Sequence, residues 1–387
     1  MKVSEQIKIW SRVAAQSFGG PAGQIAVIHK LVVEDKKLVS EERFLHALNF
    51  CMLLPGPEAQ QLATYMGWMI DKWRGGLIAG GLFILPGFLS ILLLSYLYVI
   101  YGEIPFVQGL FYGLKPAVIA IVLSALLRIS KKSLKSAFYW TLATGAFVAL
   151  FFFNLSFPIV VFTAGLLGVA YGKLCPDSSA VQGEEGVSLP PVSQTLKTIF
   201  IWVLDWIAPI LLTILFFGQD STFHTLNLFF SKMSMVTFGG AYAALSYVAQ
   251  KAVEVYGWLQ GTEMLDGLGM AETTPGPLIQ VVQFVGFMGA YRLGDLSHPY
   301  LNAFVGSVLT TWMTFAPCFL WIFSFAPYIE FVRGKKVFSY ALNAITASVV
   351  GVIFNLSLWF VLQVLFLRSG RATAFGLDFD YPYLNSI

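Results

Sequence analysis

Ser17-Phe18-Gly19-Gly20 is followed by Pro55-Gly56-Pro57, and Thr237-Phe238-Gly239-Gly240 is followed by Pro275-Gly276-Pro277. In both copies the Phe lies 37 residues before the first Pro, and the copies are offset by 220. Laid over one another without a gap, they also match Val33 with Val253, Glu34 with Glu254, Leu45 with Leu265, Leu48 with Leu268 and Gln60 with Gln280. Gly/Pro breaks inside apolar segments, one set per half, point to the binding site of a transporter built from internal repeats.

The composition around these motifs belongs to a bilayer. Hydrophobic residues make up 57% of 387 and charged residues only 12%, with a mean hydropathy of +0.72. A soluble domain carries about 25% charged residues, so this chain cannot clothe itself in a solvated surface. The net charge of +3 is too small to argue for nucleic acid as a partner. Cys51, Cys175 and Cys318 are far apart, and the histidines are equally dispersed, which suggests neither a metal centre nor a disulfide framework. No cofactor is expected. The first sixteen residues lack the apolar core of a signal peptide.

A span of about 30 Å needs roughly 20 apolar residues. Segments 76–101, 105–128, 134–153, 155–174, 198–217, 300–326 and 336–367 qualify, the last reading either as one tilted helix or as a broken hairpin. Four further stretches are apolar but interrupted: 10–32 and 44–70, then 224–250 and 262–291. A Pro inside a helix removes a hydrogen bond and clashes with the preceding turn, so each Pro-Gly-Pro should split its segment into two half-helices. Irregular backbone at membrane depth is tolerated only where protein or a wet cavity surrounds it. The polar stretch 175–197 reads as a linker, giving an N-terminal membrane repeat 1–174 and a C-terminal one 198–387.

Lys and Arg mark the cytoplasmic side. Arg128, Lys131, Lys132 and Lys135 follow one span, and Arg333, Lys335 and Lys336 follow another. Span 76–101 leaves the cytoplasm beside Lys72 and Arg74, whereas its counterpart 300–326 enters it, which makes the halves inverted. Between the motifs, 30–43 carries Lys30, Lys36, Lys37 and Arg43, whereas 251–266 carries only Lys251 beside Glu254, Glu263 and Asp266, which favours re-entrant hairpins dipping in from opposite faces. The expected fold is an all-α polytopic membrane protein with two inverted-topology repeats and broken, re-entrant helices.

Phe18-Gly19-Gly20 and Phe238-Gly239-Gly240, each at a half-helix start, leave backbone N–H groups unpaired and uncovered, and with the helix dipole these bind anions. Pro55-Gly56-Pro57 and Pro275-Gly276-Pro277 offer the same in the other arm. The plainer reading is that small residues let helices pack closely. Charged groups inside spans are functional candidates. Lys115 sits mid-span and suits direct attraction of an anion, unless it snorkels. Glu58 directly follows one Pro-Gly-Pro and Glu272 precedes the other, so either carboxyl group suits carriage of a coupling proton or capping of a half-helix; Asp205 is a weaker candidate. Gln60, Gln61, Gln280, Gln283, Thr273 and Thr274 suit hydrogen bonds to substrate oxygens or to neighbouring backbone. Asp266 reads as a solvated position at a helix start.

Residues 17–68 resemble the N-terminal signature of the chromate ion transporter family, and 237–287 resemble its C-terminal counterpart. The resemblance extends over nearly the whole chain, in the long two-domain form. It implies export of chromate, or of a related tetrahedral oxyanion such as sulfate, across the cytoplasmic membrane, driven by protons. Protons, membrane lipid and a second copy of the chain, as a homodimer, complete the partners this reading allows. An intramembrane enzyme acting on lipid or a small anion, or an anion channel, is the competing class.

Overall fold

The computed structural model describes residues 1–18, 20–52, 54–153, 155–174, 191–238, 241–328, 336–365, 369–374 and 377–382. Fourteen α-helices run through these residues: α1 Val3–Gln16, α2 Gly20–His29, α3 Glu41–Cys51, α4 Glu58–Tyr101, α5 Pro105–Ser133, α6 Ala137–Phe151, α7 Phe157–Leu174, α8 Val192–Phe217, α9 Thr222–Val236, α10 Ala241–Gln250, α11 Gly261–Thr273, α12 Val281–Leu293, α13 Pro299–Phe325 and α14 Lys336–Leu365. Among the described residues, six helices are long and apolar enough to cross a membrane. The protein is an all-α, multi-pass membrane protein. A short antiparallel hairpin near the end, β1 Ser369–Ala374 against β2 Leu377–Pro382, is the one β element among the described residues.

Local chemistry explains the helix boundaries. Ser40 caps α3, accepting from Arg43 N–H at 3.4 Å, and Glu41 and Glu42 favour its positive end. At the position 220 residues on, Gln260 caps α11 in a reciprocal box with Glu263. Pro105 and Pro299 start α5 and α13, where a missing N–H costs nothing. Both α2 and α10 run into a π-helical turn, Lys30–Asp35 and Lys251–Val255. Both turns close alike: Leu38 N–H donates to Val32 O and Trp258 N–H to Ala252 O, each at 2.8 Å.

The Pro-Gly-Pro breaks fall between α3 and α4 and between α11 and α12, as the Pro chemistry predicts. At ~1.5 Å per residue, the ten residues of α2 and the eleven of α3 each cover about half the bilayer core. α4 reverses at Asp71 and Lys72, whose backbone leaves the helical region (Lys72 φ 49°). Its two arms fold together where Gly67 meets Gly75, and Gln6 donates to Asp71 at 2.8 Å to tie the reversal to α1. α12 and α13 form the matching hairpin, crossing where Gly286 meets Gly306 and Thr310. Such small-residue contacts let helices approach in lipid, where no hydrophobic force joins them.

The segment 336–367, open between two readings, is one continuous helix over Lys336–Leu365. It packs on α5, α6 and α7, with Gly168 against Ala344 and Gly351 against Ala143. α13 packs on α4 in turn. The two halves of the chain therefore interlock. Residues 175–190 of the expected linker lie outside the described residues, and helix α8 begins at Val192.

Candidate functional site

The two motif sets meet across the halves. α1 ends at Ser17, whose hydroxyl turns back to Val13 O at 2.7 Å. α9 ends at Thr237, whose hydroxyl does the same to Met233 O at 2.7 Å. Satisfying each hydroxyl inside its own helix leaves the backbone carbonyl free to point away. Gly276 N–H donates to Ser17 O at 2.9 Å, and Gly56 N–H donates to Thr237 O at 2.7 Å. The Pro-Gly-Pro of each half is thus bonded to the residue preceding Phe-Gly-Gly in the other.

Both bonds depend on glycine. Gly56 has φ +123° and Gly276 φ +114°, a region open to residues without Cβ. Space forbids a side chain as well. A Cβ on Gly276 would lie 2.9 Å from Gly87 Cα, and one on Gly56 would lie 2.8 Å from Cys318 Sγ. Gly87 and Cys318 each follow the interior proline of their helix, Pro86 in α4 and Pro317 in α13. Each Pro-Gly-Pro turn is therefore pressed onto the proline-bearing stretch of the other half's long helix.

Helix starts gather at these crossings. α2 begins at Gly20, three residues past Ser17, and the 3-10 turn Leu278–Gln280 begins two residues past Gly276. Gln24 of α2 is buried and donates to Gly276 O at 2.6 Å, fastening the two together. At the other crossing, Gln61 donates to Pro55 O at 2.7 Å. Gly20 has φ +73° and is buried, yet a Cβ placed on it would meet nothing within 4 Å. An opening therefore adjoins the first residue of α2, where N–H groups and the dipole present positive charge.

Several predicted residues line the same region. Gln60 and Gln280 are fully buried at matching positions. Their amide nitrogens bond locally, to Thr64 at 3.0 Å and to Gln283 at 2.6 Å, while the Oε1 of each has no partner among the described residues. Glu58 is the first residue of α4, directly after Pro57, whose side chain makes no capping bond, and is partly exposed. Glu272 accepts from Tyr242 at 2.6 Å, which links the end of α11 to the second residue of α10. Thr273 hydroxyl bonds to Gly269 O at 2.9 Å, inside its own helix, and Thr274 hydroxyl reaches Ala271 O at 3.5 Å. These two threonines satisfy neighbouring backbone, the plainer of the two readings. Phe18 is 45% exposed beside the first crossing. Gly19, Gly239 and Gly240 lie outside the described residues.

Lys115 is brought to a different place. It pairs with Asp266 of α11, 3.6 Å away. Asp266, expected to be solvated, is instead buried, because α5 and the end of α4 cover that face of α11. Gln24, Tyr242 and Asp266 are the site residues that sequence reasoning missed. Only for Asp266 was there a signal, a carboxylate in a segment otherwise apolar enough to enter the membrane.

The sequence model of the family described as chromate transporter matches residues 5–169 and 224–377. The chromate transport protein of Pseudomonas aeruginosa is 31% identical over 345 residues, 87% of this chain and 76% of that protein. The chromate transport protein of Cupriavidus metallidurans is 27% identical over 352 residues, 88% of this chain and 78% of that one. The probable chromate transport protein of Synechococcus elongatus is 26% identical over 354 residues, 88% and 80% respectively. No solved structure matches.

Proposed function

The chain belongs to the chromate transporter family, and on that premise we propose that it is a secondary transporter moving chromate, or a related tetrahedral oxyanion such as sulfate, out across the cell membrane. The halves 1–174 and 198–387 act as inverted repeats joined by 175–197, and their relative movement exposes the site to each side in turn. The observation that carries this reading is the reciprocal pair of hydrogen bonds, Gly276 to Ser17 and Gly56 to Thr237. It brings broken-helix starts of both halves to shared crossings, and a compact dianion suits such a place. Backbone N–H groups at helix starts stabilise negative charge without a buried cation.

Residues Phe18, Gly19, Gly20, Pro55, Gly56 and Pro57, with Phe238, Gly239, Gly240, Pro275, Gly276 and Pro277, shape the cradle, and Gln60 and Gln280 flank it. Glu58 serves as the proton carrier, with Glu272 as the second candidate. At the start of α4, an ionised Glu58 competes with the anion for the same positive field. When protonated it yields that field, and when the anion leaves it takes it back. Proton and anion movement are thereby linked.

The test is flux of labelled chromate and sulfate into liposomes holding the purified chain, with and without an imposed pH gradient. Saturable, gradient-dependent flux is expected. Flux that rises linearly with concentration and ignores the gradient would make the protein a channel. No flux of either anion would return the question to an intramembrane enzyme.

A further inference from the structure

The cation that the sequence places alone in mid-span has company. Lys115 Nζ lies 3.6 Å from Asp266 Oδ1, with side-chain exposures of 18% and 6%. Tyr98 donates to Asp266 Oδ2 at 3.0 Å. All three line a cleft of about 490 Å³ between the end of α4, the first turns of α5 and α11. Lys115 lies ten residues past Pro105, about 15 Å along α5, so the pair sits nearly three turns into that helix rather than at its first turn.

Its geometry is loose for a structural ion pair. A separation of 3.6 Å exceeds hydrogen-bond length, and Asp266 Oδ1 accepts no hydrogen bond among the described residues although it is buried. Charges kept out of water for stability alone need close, fully bonded geometry to offset their desolvation. Arg292, the cation facing the same cluster from α12, is bound to Glu263 at 2.7 and 2.9 Å. Lys115 is left as an ammonium whose donors face a cleft also lined by Gln108.

We infer that this cleft is a second oxyanion site, away from the helix crossings, in which an incoming tetrahedral dianion displaces Asp266 from Lys115. The inference rests on the anion-transport reading. Asp266 is the resident counter-charge: it holds Lys115 when the cleft is empty and repels the dianion once bound, which speeds release. Tyr98 positions the carboxylate for that exchange. A site on a transport path must bind well enough to be entered and weakly enough to be left, and a competing carboxylate meets both needs.

The experiment measures the concentration dependence of chromate and sulfate flux in liposomes for the full chain and its variants. Lys115→Gln should raise apparent KM about tenfold, and Lys115→Arg should stay near wild type. Asp266→Asn should lower apparent KM and reduce maximal flux, since release slows. The double variant Lys115→Gln/Asp266→Asn should remain as weak as Lys115→Gln. Recovery of wild-type KM and rate in the double variant would mean that the pair is structural, and would overturn the inference. Should Lys115→Gln fail to fold, exposed Gln108→Ala decides: a raised KM supports the site and an unchanged one overturns it. Wild-type liposomes that carry neither anion would sink the transport reading, whereas wild-type flux with an unchanged KM in Lys115→Gln sinks this inference alone.

Discussion

Gly56 of the first half donates its backbone N–H to the carbonyl of Thr237 in the second, at 2.7 Å, and the counterparts 220 residues away, Gly276 and Ser17, repeat the bond at 2.9 Å. Each half thereby closes the other's broken helix. A carbonyl left over at the end of α1 or α9 is satisfied by a turn whose own N–H has no helical partner. Neither half can complete its backbone bonding alone.

Replacing Gly276 with Ala should be more damaging than replacing Gly56. Both positions have strongly positive φ, which costs an L-residue on the order of 1–3 kcal/mol. At Gly276 the new Cβ also meets the backbone of Gly87, which cannot move aside, whereas at Gly56 it meets the side chains of Gln61 and Cys318. Thermal unfolding in detergent should show the larger loss for Gly276→Ala, and Cys318→Gly should restore part of the loss in Gly56→Ala. Equal losses would dissolve the steric argument.

Gly20→Leu should insert into the membrane and fail to transport. A side chain at Gly20 finds room for its Cβ, with nothing within 4 Å, at the cost of the φ +73° penalty. It would fill the opening where an anion approaches bare backbone. Membrane-fraction yield and chromate flux measured together test this, and wild-type apparent affinity in the variant would count against the cradle.

Glu58→Gln should still bind chromate and lose the response of flux to a pH gradient. The amide occupies the same position at the start of α4 but carries no proton to exchange. Chromate flux in liposomes with and without the gradient reads it directly. A variant that stays fully gradient-driven would pass the role to Glu272, which Tyr242 holds at 2.6 Å.

Single cysteines at positions 36 and 255 should label from opposite sides of the membrane. Lys36 and Val255 are both exposed, just past or at the end of the matching π-helical turns, and the first lies in a loop with four Lys/Arg and the second in one with a single Lys. The background carries Cys175→Ser, and the remaining native thiols, Cys51 and Cys318, are buried. Labelling of both from one side would contradict inverted halves.

Much of this molecule is legible along the chain because its determinants are local. Bilayer thickness converts apolar run length into spans, and Pro and Gly dictate where backbone hydrogen bonding breaks. The positions of α5, α7 and α13, and both Pro-Gly-Pro breaks, follow from that alone. The undecided segment 336–367 needed its neighbours: Gly168 and Ala143 supply the close surfaces along which one long helix lies unbroken. Partnership across sequence distance was equally out of reach. Lys115 reads as a lone charge until α5 is laid on α11, 151 residues away, and Asp266 meets it. The motifs themselves announced two matching breaks in the helices, since repetition is a property of sequence. That each is completed by the opposite half, Ser17 by Gly276 and Thr237 by Gly56, is a property of space. A carbonyl and an N–H left over at two helix breaks carry no label saying which will find which, and only packing the halves together chooses the pairing.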